Sequence, residues 1–461
     1  MIRIFNHYVS KMAFVLLLLE ALFLLLLAAL TSFIWLADQT LPMNNIYLSS
    51  LAFALVMVFS MSALGMYQHS SKEDIKNMLL RITPSFVLGF ALLSVLIEVV
   101  PAIHFGRGVS SLIVVLGAVG VLINRLIVFK SARMAMLDGR LILIGGGALA
   151  KECVDLAASK LGFHRFNVVG CVEVAGEECC VPKSVLLPAG SSLLALARKY
   201  DVNEIVVSVV DRRNGAFPIR QLLECALGGV KVIDAATFFE REACQIRIDS
   251  LQPSYLIFGG GFDQSFWRAA VKRAFDLAAS AAIFMAGLPV MLVTALWIRL
   301  EDGGPIFYQQ ERVGKEGRIF KVLKFRSMGS DAEQDGLPKW ASSDDPRVTR
   351  VGHIIRKLRI DELPQLLNVF KGEMSFVGPR PERAFFVDQL SVNVAYYDVR
   401  HSIKPGITGL AQVRYQYGAT ENDAVCKLQY DLYYVKNNSL FLDLLILIDT
   451  VQVVLFRKGA R

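Results

Sequence analysis

Over its first 130 residues the chain alternates long apolar runs with short polar breaks. Four runs, Met12 to Leu36, Ile46 to Tyr67, Pro84 to Val100 and Val109 to Phe129, approach or exceed the roughly 17–25 residues that cross a bilayer as a helix. The first has too long an apolar core for a cleaved signal, and no small-residue cleavage site follows it. Arg3 and Lys11 precede run one, Lys72, Lys76 and Arg81 separate runs two and three, and Lys130, Arg133 and Arg140 follow run four; the other two connections carry only Asp38 and Arg107. By the positive-inside rule both ends of this four-helix unit face the cytoplasm. Glu20 lies within run one, and the expectation is a carboxylate near the cytoplasmic end, hydrogen-bonded to another span. With few polar residues, the unit reads as an anchor or an oligomerisation element.

From Gly139 the pattern becomes that of a soluble α/β domain. RLILIGGGALAKECVDLAA reads strand, glycine turn, helix, and FNVVGCVE, EIVVSVVD and VKVID read as later buried strands, which predicts a Rossmann-like domain over residues 139–250. Gly145, Gly147 and Ala150 keep the G-x-G-x-x-A spacing that seats a pyrophosphate at a helix start. Glu173 lies too far along to serve as the acidic ribose partner, so no cofactor-binding residue is assigned and a regulatory or structural domain is preferred.

Residues 235 to 265 form a connector. An amphipathic start, Trp267 to Asp276, then leads into a fifth apolar run, Leu277 to Ile298. Arg268, Lys272 and Arg273 lie before this run, and Arg299, Arg312, Lys315, Arg318, Lys321, Lys324 and Arg326 after it, so both flanks favour the same side of a membrane. Pro289 near its middle removes a backbone hydrogen bond and bends the helix. The prediction is a re-entrant helix over about 271–298, turning at Leu288 and Pro289. Beyond it, IFYQQERVG and RIFKVLKFRSM read as two strands around a Gly314 to Gly317 turn. Their alternation puts Lys324 and Arg326 on one face, as a phosphate grip or an ordinary solvated edge. Gly336 to Pro346 reads as a mobile loop poised to close over a substrate. The last apolar segment, Leu440 to Phe456, contains Asp443 and Asp449, which argue for an amphipathic helix on the surface or packed on the domain.

Composition narrows the class. A chain of 461 residues holds two or three domains, and a hydrophobic share of 54% exceeds what a soluble chain needs, so part of it belongs in lipid. The formal charge of +8 suits an anionic membrane surface and phosphorylated substrates. No basic-aromatic stacking platform supports nucleic acid as a partner. Seven cysteines without C-x-x-C spacing suggest neither a disulfide framework nor a zinc site, and read as reduced cytoplasmic thiols.

The densest chemistry lies in RKLRIDELPQLLNVFKGEMSFVGPRP, Arg356 to Pro381. Asp361 and Glu362 open an apolar helical run with Pro364 in its first turn, where proline costs little. A helix start favours carboxylates and phosphates, and Arg356, Lys357, Arg359 and Arg380 add cations on both sides. The pattern points to an anionic reaction centre. Gly378-Pro379-Arg380-Pro381 forms a rigid loop suited to aiming a guanidinium at a diphosphate.

The phrase DELPQLLNVFKGEMSFVGPRP, with KRAFDLAAS, GPIFYQQERVGKEGRIFKVLKFRSM, KPGITGLAQVRY and YDLYYVKNNSLFLDLLIL around it in order, resembles the bacterial sugar transferases, the polyprenyl-phosphate hexose-1-phosphate transferases. The wording of the tail is most similar to the subgroup associated with PEP-CTERM exopolysaccharide systems. The resemblance covers roughly the last 190 residues and implies a membrane protein of α + α/β class. That protein would have a four-helix transmembrane bundle over 1–135, the Rossmann-like cytoplasmic domain, and a monotopic α/β catalytic domain over 265–461 anchored by the re-entrant helix in the bacterial inner membrane.

The implied reaction moves a hexose-1-phosphate from a UDP-sugar to undecaprenyl phosphate, releasing UMP through a phosphosugar-aspartate intermediate, as the first membrane step of exopolysaccharide or glycan synthesis. Carried over residue by residue, Asp361 is the nucleophile, Glu362 the Mg²⁺ ligand, Arg356 and Arg380 phosphate contacts, and Lys324, Arg326 and Lys404 further substrate phosphate contacts. The family usually turns its re-entrant helix at Ser-Pro, where this chain has Leu288, and often has an aromatic residue where it has Leu410. Two other classes stay open. A nucleotide-sugar oxidoreductase or epimerase would centre on the Gly145 turn, although no Tyr-x-x-x-Lys pair follows it, and a non-catalytic membrane regulator of polysaccharide assembly would use the chain as a scaffold.

Overall fold

The computed structural model describes residues 2–456 except 5–6, 37–42, 68–74, 101, 104, 106–108, 135–138, 159–165, 189–191, 210–216, 249–261, 263–264, 330–346, 416–417 and 419. The loop expected to close over substrate, Gly336 to Pro346, therefore lies outside the described residues. The chain divides into two compact units, Met1–Ile4 with Tyr8–Ala243, and Phe5–His7 with Cys244–Arg461.

The first unit holds four apolar helices, Lys11–Leu36, Met43–Ala63, Ile75–Val99 and Val109–Met134, each long and apolar enough to cross a membrane. Successive helices pack together, and the first packs on the fourth. Leu24, Phe53, Met57, Met61, Phe86 and Ile113 share one core, while Leu22, Leu26, Leu30 and Phe33 face outward, the inverted exposure that lipid permits. Two boundaries differ from the hydropathy reading. The second helix stops at Ala63, where Gly65 at φ +76° lets the chain turn. The third begins at Ile75 and carries Pro84 inside it, because its polar first turns lack the apolar signal that hydropathy reads.

Glu20 is fully buried, and its partner was not anticipated. Arg125 of the fourth helix donates to both carboxylate oxygens, at 2.7 and 3.0 Å, and to the Met66 carbonyl at 2.8 Å. A carboxylate among apolar helices is retained when a fully hydrogen-bonded cation neutralises it.

The rest of this unit is a four-stranded parallel sheet in the order Phe166–Val172, Gly139–Ile144, Glu204–Val207, Lys231–Asp234. Leu141 and Leu143 enter one core with Ala150, Cys153 and Phe238, and Ile142 and Ile144 enter another with Leu193, Leu196 and Leu222. A central strand covered by helices on both faces is buried without alternation, here from Leu141 to Ile144, which is why it reads as a continuous apolar run. At the glycine turn Gly145 takes φ +105°, and Gly146 N–H donates to Glu177 Oε2 at 3.1 Å. A side chain at Gly147 would meet Glu177 Oε1 at 2.6 Å. The chain's own carboxylate thus occupies the position where a pyrophosphate would lie. All seven cysteines are free thiols.

The second unit is organised around one helix, Phe266–Asp302, of 37 residues, about 55 Å long at 1.5 Å per residue. It continues through Leu288 and Pro289, so the expected turn is not a break in the helix. Both its ends are tied to the same unit. Near the start, Asp276 accepts from Ser375 Oγ at 2.8 Å and Phe376 N at 3.1 Å, and Arg273 donates to the Val369 and Phe370 carbonyls at 2.6 and 2.9 Å. Near the end, Met291 and Ile298 pack with Phe325, Val351 and Ile355, and Glu301 accepts from the N–H groups of Arg350 and Val351. Between these anchors Met285, Leu292, Val293 and Leu296 remain exposed.

An antiparallel hairpin, Phe307–Val313 with Ile319–Phe325, follows as expected. A two-stranded parallel pair, Ser375–Val377 with Gly406–Thr408, stands beside the helices Glu421–Asn437 and Leu440–Phe456. The last helix is packed on its domain. Asp443 is buried against Lys272 at 2.7 Å and Tyr434 at 2.6 Å, and Asp449 meets Arg414 at 3.1 Å.

Candidate active site

The helix Arg350–Lys357 begins at Thr349, whose side chain accepts from Gly352 N–H, and it ends by forcing Arg359 to φ +58°. That left-handed residue turns the chain into a 3₁₀ segment, Ile360–Gln365, which holds both carboxylates; the α-helix proper runs only over Leu366–Lys371. The dyad therefore sits one tight turn before the expected helix. Pro364 offers no N–H and constrains the residue before it, which favours the tighter turn.

Asp361 is 9% exposed, and its Oδ1 is buried without a hydrogen-bond partner. Glu362 stands beside three cations, all reaching Oε1: Lys324 Nζ at 3.2 Å, Arg380 Nη2 at 3.3 Å and Arg359 Nη1 at 3.8 Å. The two acids are driven in opposite directions. Burial and then the Glu362 charge push the Asp361 carboxyl up, to about 6, against Lys324, Arg359 and Arg356. Burial would raise Glu362 as well, but Lys324, Arg380 and Arg359 outweigh it and hold that carboxyl low. One site thus pairs a carboxylate that its cations hold ionised with a buried one whose charged form is disfavoured.

A shallow cleft, open to solvent, lies alongside. Arg312, Lys324 and Arg380 supply its charge, with Gln365, Pro381 and Ile407 also on its wall. Arg312 donates to the Pro381 carbonyl at 3.3 Å and lies 3.6 Å from Glu382. Its guanidinium pKa is lowered by burial, and by Arg380 and Arg383 against the pull of Glu382. Clustered, mutually repelling cations are what a polyanion would stabilise.

Of the residues singled out from sequence, Asp361, Glu362, Lys324 and Arg380 come together, and Arg356 acts on Asp361 through its charge. Arg326 does not share the Lys324 cluster. It lies one residue beyond the strand end, buried against Asp302 at the close of the long helix, with Nε and Nη1 unpartnered. Strand alternation predicts a face only while the strand continues. Lys404 faces a separate group. Its pKa is lowered by burial and by Arg273, against Asp276, and further by Lys315 and Lys272. Arg359, which the sequence offered only as a flanking cation, and Arg312, which it did not assign, also stand at this cluster. Arg312 was nonetheless legible, because even-numbered positions of both hairpin strands share a face and Lys324 is one of them.

Comparison with known proteins bears on this geometry. The model of the family described as "Bacterial sugar transferase" matches residues 267–457. The exopolysaccharide production protein PSS of Rhizobium leguminosarum bv. phaseoli is 41% identical over 199 residues, 41% of this chain and 98% of that one. The chain belongs to the bacterial sugar transferase family. A second bacterial sugar transferase match is the UDP-glucose:undecaprenyl-phosphate glucose-1-phosphate transferase of Caulobacter vibrioides, 42% identical over 191 residues, 41% of this chain and 71% of that protein. A third is the UDP-N-acetylgalactosamine-undecaprenyl-phosphate N-acetylgalactosaminephosphotransferase of Aeromonas hydrophila, 44% identical over 242 residues, 52% of this chain and 56% of the relative. The chain spans about half the length of the Aeromonas relative and about two fifths of two others. Within this bacterial sugar transferase, the matched region contains the dyad, the hairpin and the Arg380 loop.

Proposed function

We propose that the protein transfers a hexose-1-phosphate from a UDP-sugar to undecaprenyl phosphate and releases UMP, as the first membrane step in the synthesis of an exopolysaccharide or another glycan. The observation that carries this reading is the dyad itself: a buried carboxylate with an unpartnered oxygen, next to an ionised one, on the edge of a cationic cleft. The matched relatives named for undecaprenyl-phosphate chemistry support the substrate class.

Asp361 attacks the sugar-proximal phosphorus. An Asp361 O–P bond forms, and the bond from that phosphorus to the bridging oxygen breaks, the oxygen leaving with UMP. The polyprenyl phosphate oxygen then attacks the same phosphorus and expels the Asp361 carboxylate, giving a polyprenyl diphosphate sugar. Arg380, Lys324, Arg312 and Arg356 bear the charge of the diphosphate and of the crowded phosphorus. Glu362 faces Lys324, Arg380 and Arg359 through Oε1, and its Oε2 is the oxygen that would ligate Mg²⁺. Magnesium, when bound, neutralises diphosphate charge.

The long helix, unbroken but bent at Pro289, dips into the membrane and returns on the cytoplasmic side. A crossing helix would carry one of its ends to the far face, yet Arg273 and Asp276 at one end and Glu301 at the other are all bonded to the same unit. The exposed apolar residues between them supply the lipid-facing part. The four helices of the first unit add an inner-membrane anchor with both ends in the cytoplasm. An oxidoreductase centred on Gly145 is disfavoured, because the Glu177 carboxylate occupies its phosphate seat.

The test is Asp361→Asn. It abolishes UMP release from the UDP-sugar and the radiolabelled phosphosugar adduct on the protein. Wild-type turnover by that variant would sink the covalent route.

A further inference from the structure

Two prolines flank Arg380, so the Gly378–Pro381 loop is short of backbone donors and depends on outside groups for its placement. Gly378 N–H reaches the Thr408 carbonyl and Gly406 N–H the Pro379 carbonyl, both at 2.9 Å. The carbonyl of Arg380 itself is taken by a side chain: Arg400 Nη2 donates to it at 2.9 Å. The same nitrogen lies 2.8 Å from Asp431 Oδ2, and Arg400 Nη1 donates to Tyr397 Oη at 2.6 Å. Arg400, Asp431 and Tyr397 are all nearly inaccessible. The ion pair joins helix Glu421–Asn437 to the turn Tyr397–Ser402, and one planar guanidinium ties both to the backbone that aims Arg380 at Glu362.

We propose that Arg400 is a positioning residue for donor binding: held by Asp431 and Tyr397, it sets the Arg380 carbonyl and hence the direction of the Arg380 guanidinium in the diphosphate cleft. The proposal rests on the donor reading above. A buried ion pair is weak evidence for stability in general. This one spends a hydrogen bond on the carbonyl of Arg380, whose guanidinium lies 3.3 Å from Glu362 Oε1. Lysine cannot replace it, since a single ammonium on a shorter reach cannot meet Asp431, Tyr397 and the Arg380 carbonyl in one plane.

The test measures UDP binding by calorimetry on the full chain in nanodiscs, for wild type, Arg400→Lys, Arg380→Ala and the double variant. Arg400→Lys should weaken UDP binding about tenfold, a loss typical of one misaligned charged contact, and should add nothing in the Arg380→Ala background. An Arg400→Lys effect of equal size in both backgrounds, or none in either, overturns the proposal. If Arg400→Lys fails to fold, Tyr397→Phe replaces it in the same cycle. It removes one of the three contacts and should give a smaller loss that again vanishes without Arg380; a loss that persists there overturns the proposal. Wild-type protein that binds no UDP overturns the donor reading, and this proposal with it; additivity overturns the positioning role alone.

Discussion

Lys324→Gln separates the two tasks of the cation nearest the dyad. Its ammonium lies 3.2 Å from Glu362 Oε1, a gross Coulomb attraction of about 5 kcal/mol at an effective dielectric of about 20. Arg380 and Arg359 remain at 3.3 and 3.8 Å, and the pair is partly open to solvent, so the net change is about 1–2 kcal/mol, roughly one pK unit. Glu362 starts far below neutrality and stays ionised. Asp361 starts at about 6. Removing a positive charge disfavours its carboxylate, so its pKa rises further. The assay is the initial rate of UMP release between pH 5 and 9. For wild type the rate falls with acidity through about pH 6, as the nucleophile is protonated. For Lys324→Gln that limb moves upward in pH. Above it there remains a pH-independent loss of about 10- to 100-fold from the missing phosphate contact. An acid limb that stays in place or moves downward would refute the assignment of Asp361 as the titrating group under Lys324 control.

Two further perturbations test the packing on which the site and the anchor rest. Glu20→Leu leaves Arg125 buried without its anion and should cost about 3 kcal/mol, whereas Glu20→Leu with Arg125→Leu should lie closer to wild type; thermal unfolding in detergent compares them, and additive losses would contradict the ion pair. Gly378→Ala would put a Cβ 2.5 Å from the Lys404 carbonyl oxygen and 2.8 Å from Gly406 N. Forcing those backbones apart should cost about 2 kcal/mol or more, read as a lower melting temperature, and an unchanged melt would argue against the close approach.

Much of this protein was legible from local chemistry. Apolar runs of spanning length, the alternation and burial of strands, and the glycine and proline punctuation each depend on a few neighbouring residues, so four long apolar helices, a parallel α/β domain, a hairpin and a carboxylate pair could be read directly. The dyad's wording identified the family before any geometry did. Helix boundaries were less secure. Residues 75–83 continue a helix that hydropathy starts at Pro84, and Asp361 and Glu362 occupy a 3₁₀ turn rather than the first turn of an α-helix.

Which charges meet was decided by the tertiary structure. Glu20 and Arg125 are 105 positions apart, and Lys324 and Glu362 are 38 apart. Arg326, two residues from Lys324, turns instead to Asp302, and Lys404 lies in the field of Arg273 and Asp276. Long basic side chains choose partners by where the backbone places competing carboxylates and by how much water remains to solvate them. Both quantities exist only once helix, hairpin and loop have packed, so composition could supply the cations of this site but not their assignment.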